Sequence, residues 1–333
     1  MIRTRSFMAC LAAVAVWSAD AAAWHGRGHD LATRVSVAAV GDRLPAFFVA
    51  GADMIAHCAL DPDAFTRPIA PSELHEQEAP EHYFDVELLG GAAVPPSRYA
   101  FLELCTQKGL KPNKVGLLPY AVVEWTQRLT VALAEYRRWP EDSCIRAKCL
   151  VYAGLLAHYA QDLCQPLHLT VHWDGRAKED GTSPRSGIHN KVDALMGKLG
   201  IAPPDVGKGP KAELMRELTL AVLAEIGRGR ALIDRVYGME SRLPGMEEPL
   251  DPNGMVADFA RERLRAAGAF LASLYLTAWA DSDKITLPSW HRQGTSAGRP
   301  PGAPAISAQT AKDPNEQAGK VLYRSQSIQA NMP

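Results

Sequence analysis

The chain is 333 residues long, 47% hydrophobic and 22% charged, with a formal net charge of −1. These values fit a soluble globular protein and exclude a strongly basic nucleic-acid clamp, although bound metal ions would supply positive charge locally. Past the N-terminal region no apolar run reaches the roughly 20 residues that cross a bilayer, so no transmembrane segment is expected.

Residues 1–23 read as a signal peptide. Arg3 and Arg5 make a basic start, Phe7 to Trp17 a short apolar stretch, and Ala21, Ala22 and Ala23 a small-residue cleavage site. The expected location is therefore exported, either periplasmic or secreted. Cleavage after Ala23 would place Trp24 at the N-terminus. There the α-amino group and the residue's own carbonyl can chelate a metal ion in a five-membered ring. His25 and His29 follow, four residues apart.

Five cysteines remain after such cleavage: Cys58, Cys105, Cys144, Cys149 and Cys164. Export permits disulfide bonds, and an odd number leaves one thiol over. Cys144 and Cys149 are near enough in sequence to pair.

Residues 24–287 read as one all-α domain. Apolar residues at three-to-four spacing predict helices over 28–40, 118–139, 142–164, 188–199, 212–237 and 258–280. Residues 173–176 and 180–187 read as polar surface loops. Residues 288–333 are rich in Pro, Gly, Ser, Ala and Gln, and read as a disordered tail.

The chemistry concentrates in LLAHYAQDLCQPLH, residues 155–168. His158 and Asp162 are four apart, so on a helix they share one face. Pro166 stops the helix, and the turn can bring His168 back to the same place. The spacing recurs in GIHNKVD, at His189 and Asp193. Leu155, Leu156, Leu163 and Leu167 surround the first pair with apolar surface, where an unpaired charge is costly. Together these residues point to a polynuclear metal site. Imidazole and carboxylate donors with no thiolate suit Zn²⁺. Two further segments offer ligands. LDPDAF carries Asp61 and Asp63 on an Asp-Pro turn, and EHYFDVE carries His82 beside Tyr83, Phe84 and Asp85.

Taken in order, Trp24, His29, Asp63, His82, His158, Asp162, His168, His189 and Asp193 resemble the nine-ligand pattern of one superfamily: the zinc-dependent phospholipases C and single-strand-specific nucleases. The likeness spans roughly residues 24 to 200. It implies a mostly helical domain holding three zinc ions. One would sit on Asp63, His82, His158 and Asp162. A second would sit on His168, His189 and Asp193. The third would sit on the Trp24 amino and carbonyl groups, His29 and a bridging Asp162. Asp61 competes with Asp63, because the spacing to His82 is longer than in the nucleases. Where those nucleases often carry Gly-Gly-Asn, this chain reads TVHWDGRAKEDG. The GIHNKVD stretch resembles the phospholipase style at least as much as the nuclease style.

The function this implies is zinc-dependent hydrolysis of a phosphodiester by a metal-activated water. Asp63 would orient or deprotonate that water, and Asp162 would bridge two ions. Arg67 is a candidate for stabilising charge in the transition state. Tyr83 and Asp85 would stack on a base and accept a hydrogen bond from its edge, with Phe84 packed in the core. The leading expectation is a nuclease or 3′-nucleotidase acting on single-stranded DNA or RNA. Alternatives are a phospholipase C whose aromatic and carboxylate hold a choline head group, and a zinc-stabilised binding protein. The sequence marks no obligate protein partner.

Overall fold

The computed structural model describes residues 26–67, 70–206 and 211–293. The signal-peptide region, Trp24 and residues 294–333 lie outside them. The described residues are all-α, and no strand occurs among them. In chain order the helices are α1 (Gly26–Val40), α2 (Ala46–Ala50), α3 (Ala52–Cys58), α4 (Asp61–Phe65), α5 (Ser72–Glu78), α6 (Arg98–Gln107) and α7 (Pro112–Val115). They continue with α8 (Leu118–Arg138), α9 (Ser143–Asp162), α10 (Ile188–Asp193), α11 (Leu195–Lys198), α12 (Leu218–Arg230), α13 (Ile233–Gly238) and α14 (Met255–Ser282). No described helix is long and apolar enough to cross a membrane.

The bundle is built round α9, which packs on α8, α3, α14 and α1. Its second half, from Ala153 to Asp162, is apolar and buried on almost every side. The helix starts at Asp142, whose carboxylate accepts the Cys144 and Ile145 amides at 2.9 and 3.3 Å. It ends where Pro166 cannot continue it. In α1 the buried residues His29, Ala32, Thr33, Ser36, Val37 and Val40 form a single stripe. That stripe turns His29 inward, towards α9. On the other side of α9, Tyr275 of α14 is fully buried and donates its hydroxyl to the Ala153 carbonyl at 2.9 Å.

The close contact of α3 with α9 depends on Gly154. A β-carbon there would come within 2.5 Å of the Cys58 Cβ and 2.7 Å of the Ile55 carbonyl oxygen. With no side chain at 154, the end of α3 lies directly on the middle of α9. A smaller apolar cluster, including Leu167, Ile188, Val192, Val236 and Phe259, lies under α10 and α13. The histidine and aspartate residues of interest sit where the two cores meet.

Several expectations change. LDPDAF is a short helix, α4, with Pro62 in its first turn, where the missing proline amide has no partner to lose. The helix expected from 212 begins at Leu218. The Glu213 and Met215 amides are instead taken by Ser273 Oγ and Thr277 Oγ1 of α14, at 3.0 and 2.9 Å. The helix expected over 188–199 is interrupted at Ala194 and that over 212–237 at Ala231–Leu232. All five described cysteines are free thiols. Cys144 and Cys149 do not pair, because five residues along α9 turns their side chains to different sides of the helix. At the far end, Ser289–Gln293 forms a 3-10 turn. His291 there lies 3.1 Å from Glu135 of α8, so the described structure packs on the bundle past residue 288.

Candidate metal centre

The eight expected ligands within the described residues converge on one buried place. They fall into three sets, His29, His158 and Asp162; Asp63, His82 and His158; and His168, His189 and Asp193. Within each set one donor atom per residue lies within 4.8 Å of the others. The third set is the one the family resemblance implies. The other two differ from it in that His158 belongs to both, since its Nε2 is 3.3 Å from Asp162 Oδ2 and 3.9 Å from Asp63 Oδ1. Asp61 is in none of the sets. Asp63, two residues further on, is the α4 carboxylate that reaches the centre, 3.9 Å from His158 Nε2. Trp24 lies outside the described residues.

Each candidate ligand is delivered by a local device. His158 and Asp162 come from successive turns of α9. The Nδ1–H of His158 donates to the Ala59 carbonyl at 2.8 Å, a contact made possible by the Gly154 crossing. His29 meets the Gln161 amide oxygen through Nδ1 at 2.6 Å, and Gln161 Nε2 donates to Thr33 Oγ1 at 2.8 Å. His168 rides on the 3-10 turn Pro166–Leu169. Gln165 caps that turn by accepting the Leu167 amide at 2.5 Å, and its Nε2 donates to Asp193 Oδ1 at 2.7 Å. His189 and Asp193 face inward from α10, 3.0 Å apart. The start of α10 is held by Asp174, whose carboxylate accepts the His189 amide at 3.2 Å. His82 ends the 3-10 turn Ala79–His82. Arg98 tethers that turn to α8 by bonding both Glu81 and Glu124.

The electrostatics suit a cation. Asp162 and Asp193 are fully buried, and their ion-pair partners are all histidines. Burial holds His82, His158 and His168 below the ordinary histidine range, which keeps their rings neutral and a lone pair available. For His189, burial pulls the same way, but the Asp193 charge and hydrogen bond overturn it and raise the value. Burial pushes Asp162 well above the ordinary carboxylate range, and Asp63 up to about 6. His168 Nε2 and Asp162 Oδ1 are buried with no hydrogen-bond partner, and Asp193 Oδ2 faces the His189 ring at 3.0 Å. Buried polar atoms are rarely left so, and each of these belongs to a candidate ligand. Neutral imidazoles and clustered carboxylates with spare lone pairs are a donor set that fits metal ions.

A cleft of about 420 Å³ opens on this centre, reached by Asp63, His82, His168 and His189. Tyr83 and Asp85 line it, as the sequence suggests. Phe84 between them is fully buried. The cause is extended backbone, which sends alternate side chains to opposite faces. The Phe84 amide is held by the His168 carbonyl at 2.7 Å and the Asp85 amide by the Val115 carbonyl at 2.6 Å. Gly116, at φ +94°, lets that strand-like segment cross close by, since a β-carbon there would meet the Tyr83 carbonyl oxygen at 2.0 Å. The Tyr83 hydroxyl donates to the Asn113 carbonyl at 2.5 Å, which fixes the ring. Burial, reinforced by nearby Glu87, pushes the Asp85 carboxyl up to about 7.

Arg67 does not line the cleft, and the lysine on its wall is Lys114. The charge of Arg67 acts instead on Asp63 and His82. Sequence reasoning missed Lys114, His75, Thr66 and Trp173, all on the cleft wall. It also missed Gln161, Gln165 and Asp174. The WDGR stretch is not a simple surface loop, because Asp174 and Gly175 are buried and Trp173 meets the His189 ring edge-on at 5.6 Å. The one sequence signal was position, since Gln161 and Gln165 flank Asp162 on either side in YAQDLCQPLH.

No protein-family model matches the chain, and a search of curated proteins finds no match.

Proposed function

We propose that the chain is a zinc-dependent phosphodiesterase that cleaves single-stranded nucleic acid or nucleotides. The observation that carries this is the convergence of eight expected ligands at a cleft also lined by Tyr83 and Asp85. Zinc is the metal of choice because the donors are imidazoles and carboxylates, with no thiolate among them. His29, Asp63, His82, His158, Asp162, His168, His189 and Asp193 would hold the ions. Trp24 would complete the His29 set through its amino and carbonyl groups. Bound zinc supplies positive charge at the phosphate and makes water acidic enough to attack at neutral pH.

The chain's own residues do the rest. Asp63 sits where the cleft meets the centre, and there it would orient the attacking water or take its proton. The pinned ring of Tyr83 gives a flat apolar face for a base. Asp85, beside it, offers a hydrogen bond to the base edge, as acceptor or donor according to its protonation. Lys114 places a positive charge on the cleft wall for a phosphate.

The test is a paired assay on metal-analysed protein. Single-stranded DNA and RNA form one arm and phosphatidylcholine micelles the other, each with and without chelator. Chelator-sensitive release of nucleotides supports the proposal. Release of phosphocholine would keep the metal centre and reassign Tyr83 and Asp85 to a head group. Ions bound with no hydrolysis in either arm would overturn it.

A further inference from the structure

Four of the five histidines at the centre share one arrangement. His29, His158, His168 and His189 each turn Nδ1 to a carbonyl oxygen, those of the Gln161 side chain and of Ala59, His82 and Trp173, at 2.6, 2.8, 2.5 and 3.2 Å. A carbonyl can only accept, so it fixes the proton on Nδ1 and leaves Nε2 as the donor atom for a metal.

His82 is turned the other way. Its Nδ1 is the nitrogen at the centre, 3.0 Å from His158 Nε2 and 3.1 Å from Asp162 Oδ2. Its Nε2 is buried with no hydrogen-bond partner and lies 3.8 Å from Glu78 Oε1. Glu78 ends α5 and is itself largely covered. It accepts the hydroxyl of Tyr159, the residue after His158 on α9. The Tyr159 and His82 rings meet edge-on, centroids 5.6 Å apart.

We propose that Glu78 is the positioning residue of His82: held in place by Tyr159, it accepts the Nε2–H of His82 and so presents Nδ1 to the metal ion of the Asp63, His82 and His158 set. This rests on the metal reading above. The 3.8 Å separation is about 1 Å longer than an ordinary N–H···O bond. The bond forms when either side chain turns towards the other. A carboxylate in this place fixes the tautomer and makes the ligating nitrogen more basic. Loss of such partners typically costs about 10–100-fold in metal affinity.

The experiment measures Zn²⁺ affinity and stoichiometry by competition with a chromophoric chelator, in the wild type and in Glu78→Leu, Glu78→Gln and Tyr159→Phe. Alongside it, ¹⁵N NMR of histidine-labelled, metal-free protein reports the His82 tautomer. Glu78→Leu should weaken one bound ion about 10–100-fold, leave the ion of His168, His189 and Asp193 in place, and move the His82 proton off Nε2. Tyr159→Phe and Glu78→Gln should fall between it and the wild type. These two carry the test if Glu78→Leu does not fold. A lower melting temperature with unchanged zinc affinity and tautomer would mean Glu78 is structural only, and would overturn the inference while leaving the metal reading intact. A wild type that binds no zinc would remove both.

Discussion

Gly154 lies against Cys58 so closely that a methyl group on its α-carbon would come within 2.5 Å of the Cys58 Cβ. That contact fixes where α3 ends, and so where the Ala59 carbonyl meets His158. Gly154→Ala should therefore act in two ways. Overpacking of this kind costs typically about 1–3 kcal/mol. Thermal unfolding should show a melting temperature lower by several degrees, and zinc titration should show weaker binding at the His158 sets. An unchanged melting temperature would mean that the two helices can separate without loss.

Asp174 caps α10 through the His189 amide. Asp174→Ala should lose about 1 kcal/mol of stability, the usual effect of removing a cap. It should also loosen the ion held by His168, His189 and Asp193 ahead of the others. Metal content after stepwise dialysis against chelator checks the order of release. Loss of all ions together would speak against a local role.

Tyr83 faces the cleft with its hydroxyl already bonded to Asn113. Tyr83→Ala should weaken binding of a single-stranded oligonucleotide by about 1–3 kcal/mol, roughly 5- to 150-fold in KM, at unchanged metal content. An equal KM would exclude stacking on this ring.

The metal-free protein should lose stability as pH rises above about 6.5, the ordinary histidine value. His82, His158 and His168 are depressed, so they add stability with rising pH only up to that ordinary value. Asp85, at about 7, and Asp162, well above the ordinary range, are raised carboxyls. Such groups bind more protons folded than unfolded, so stability falls as pH rises through their folded values. His189, raised, adds to the same fall. Zinc binding releases protons and strengthens with pH. The gap in melting temperature between zinc-loaded and chelated protein should thus widen from pH 6 to pH 8. A constant gap would contradict the proposed ligand protonation.

Much of this molecule can be read from its sequence, and the parts that cannot have physical causes. The long helices α1, α8, α9 and α14 carry an apolar stripe or an apolar surface over many turns, and their spacing is legible. The short helices α2 to α7 hold few turns each. Tertiary contacts, not periodicity, set them. Within residues 212–217 the Glu213 and Met215 amides are taken by hydroxyls on α14, far along the chain, in place of helical partners. The candidate ligands were legible because His and Asp repeat at helical spacing within apolar sequence. Asp61 and Asp63 could not be separated, because only the direction of α4 decides which carboxylate reaches His158. Gln161, Gln165 and Asp174 carry no such pattern. Their roles exist only once α9, α10 and the 3-10 turn at His168 are brought together.

The most direct test of the account counts zinc per chain, in the wild type and in Asp162→Ala, on protein that begins at Trp24. Asp162 stands between the His29 and His82 sets, 3.5 Å from His29 Nε2 and 3.1 Å from His82 Nδ1. The expected result is about three ions in the wild type, about one in Asp162→Ala held by His168, His189 and Asp193, and no hydrolysis of single-stranded DNA by the variant. Fewer than two ions in the wild type, or full activity in Asp162→Ala, would contradict it.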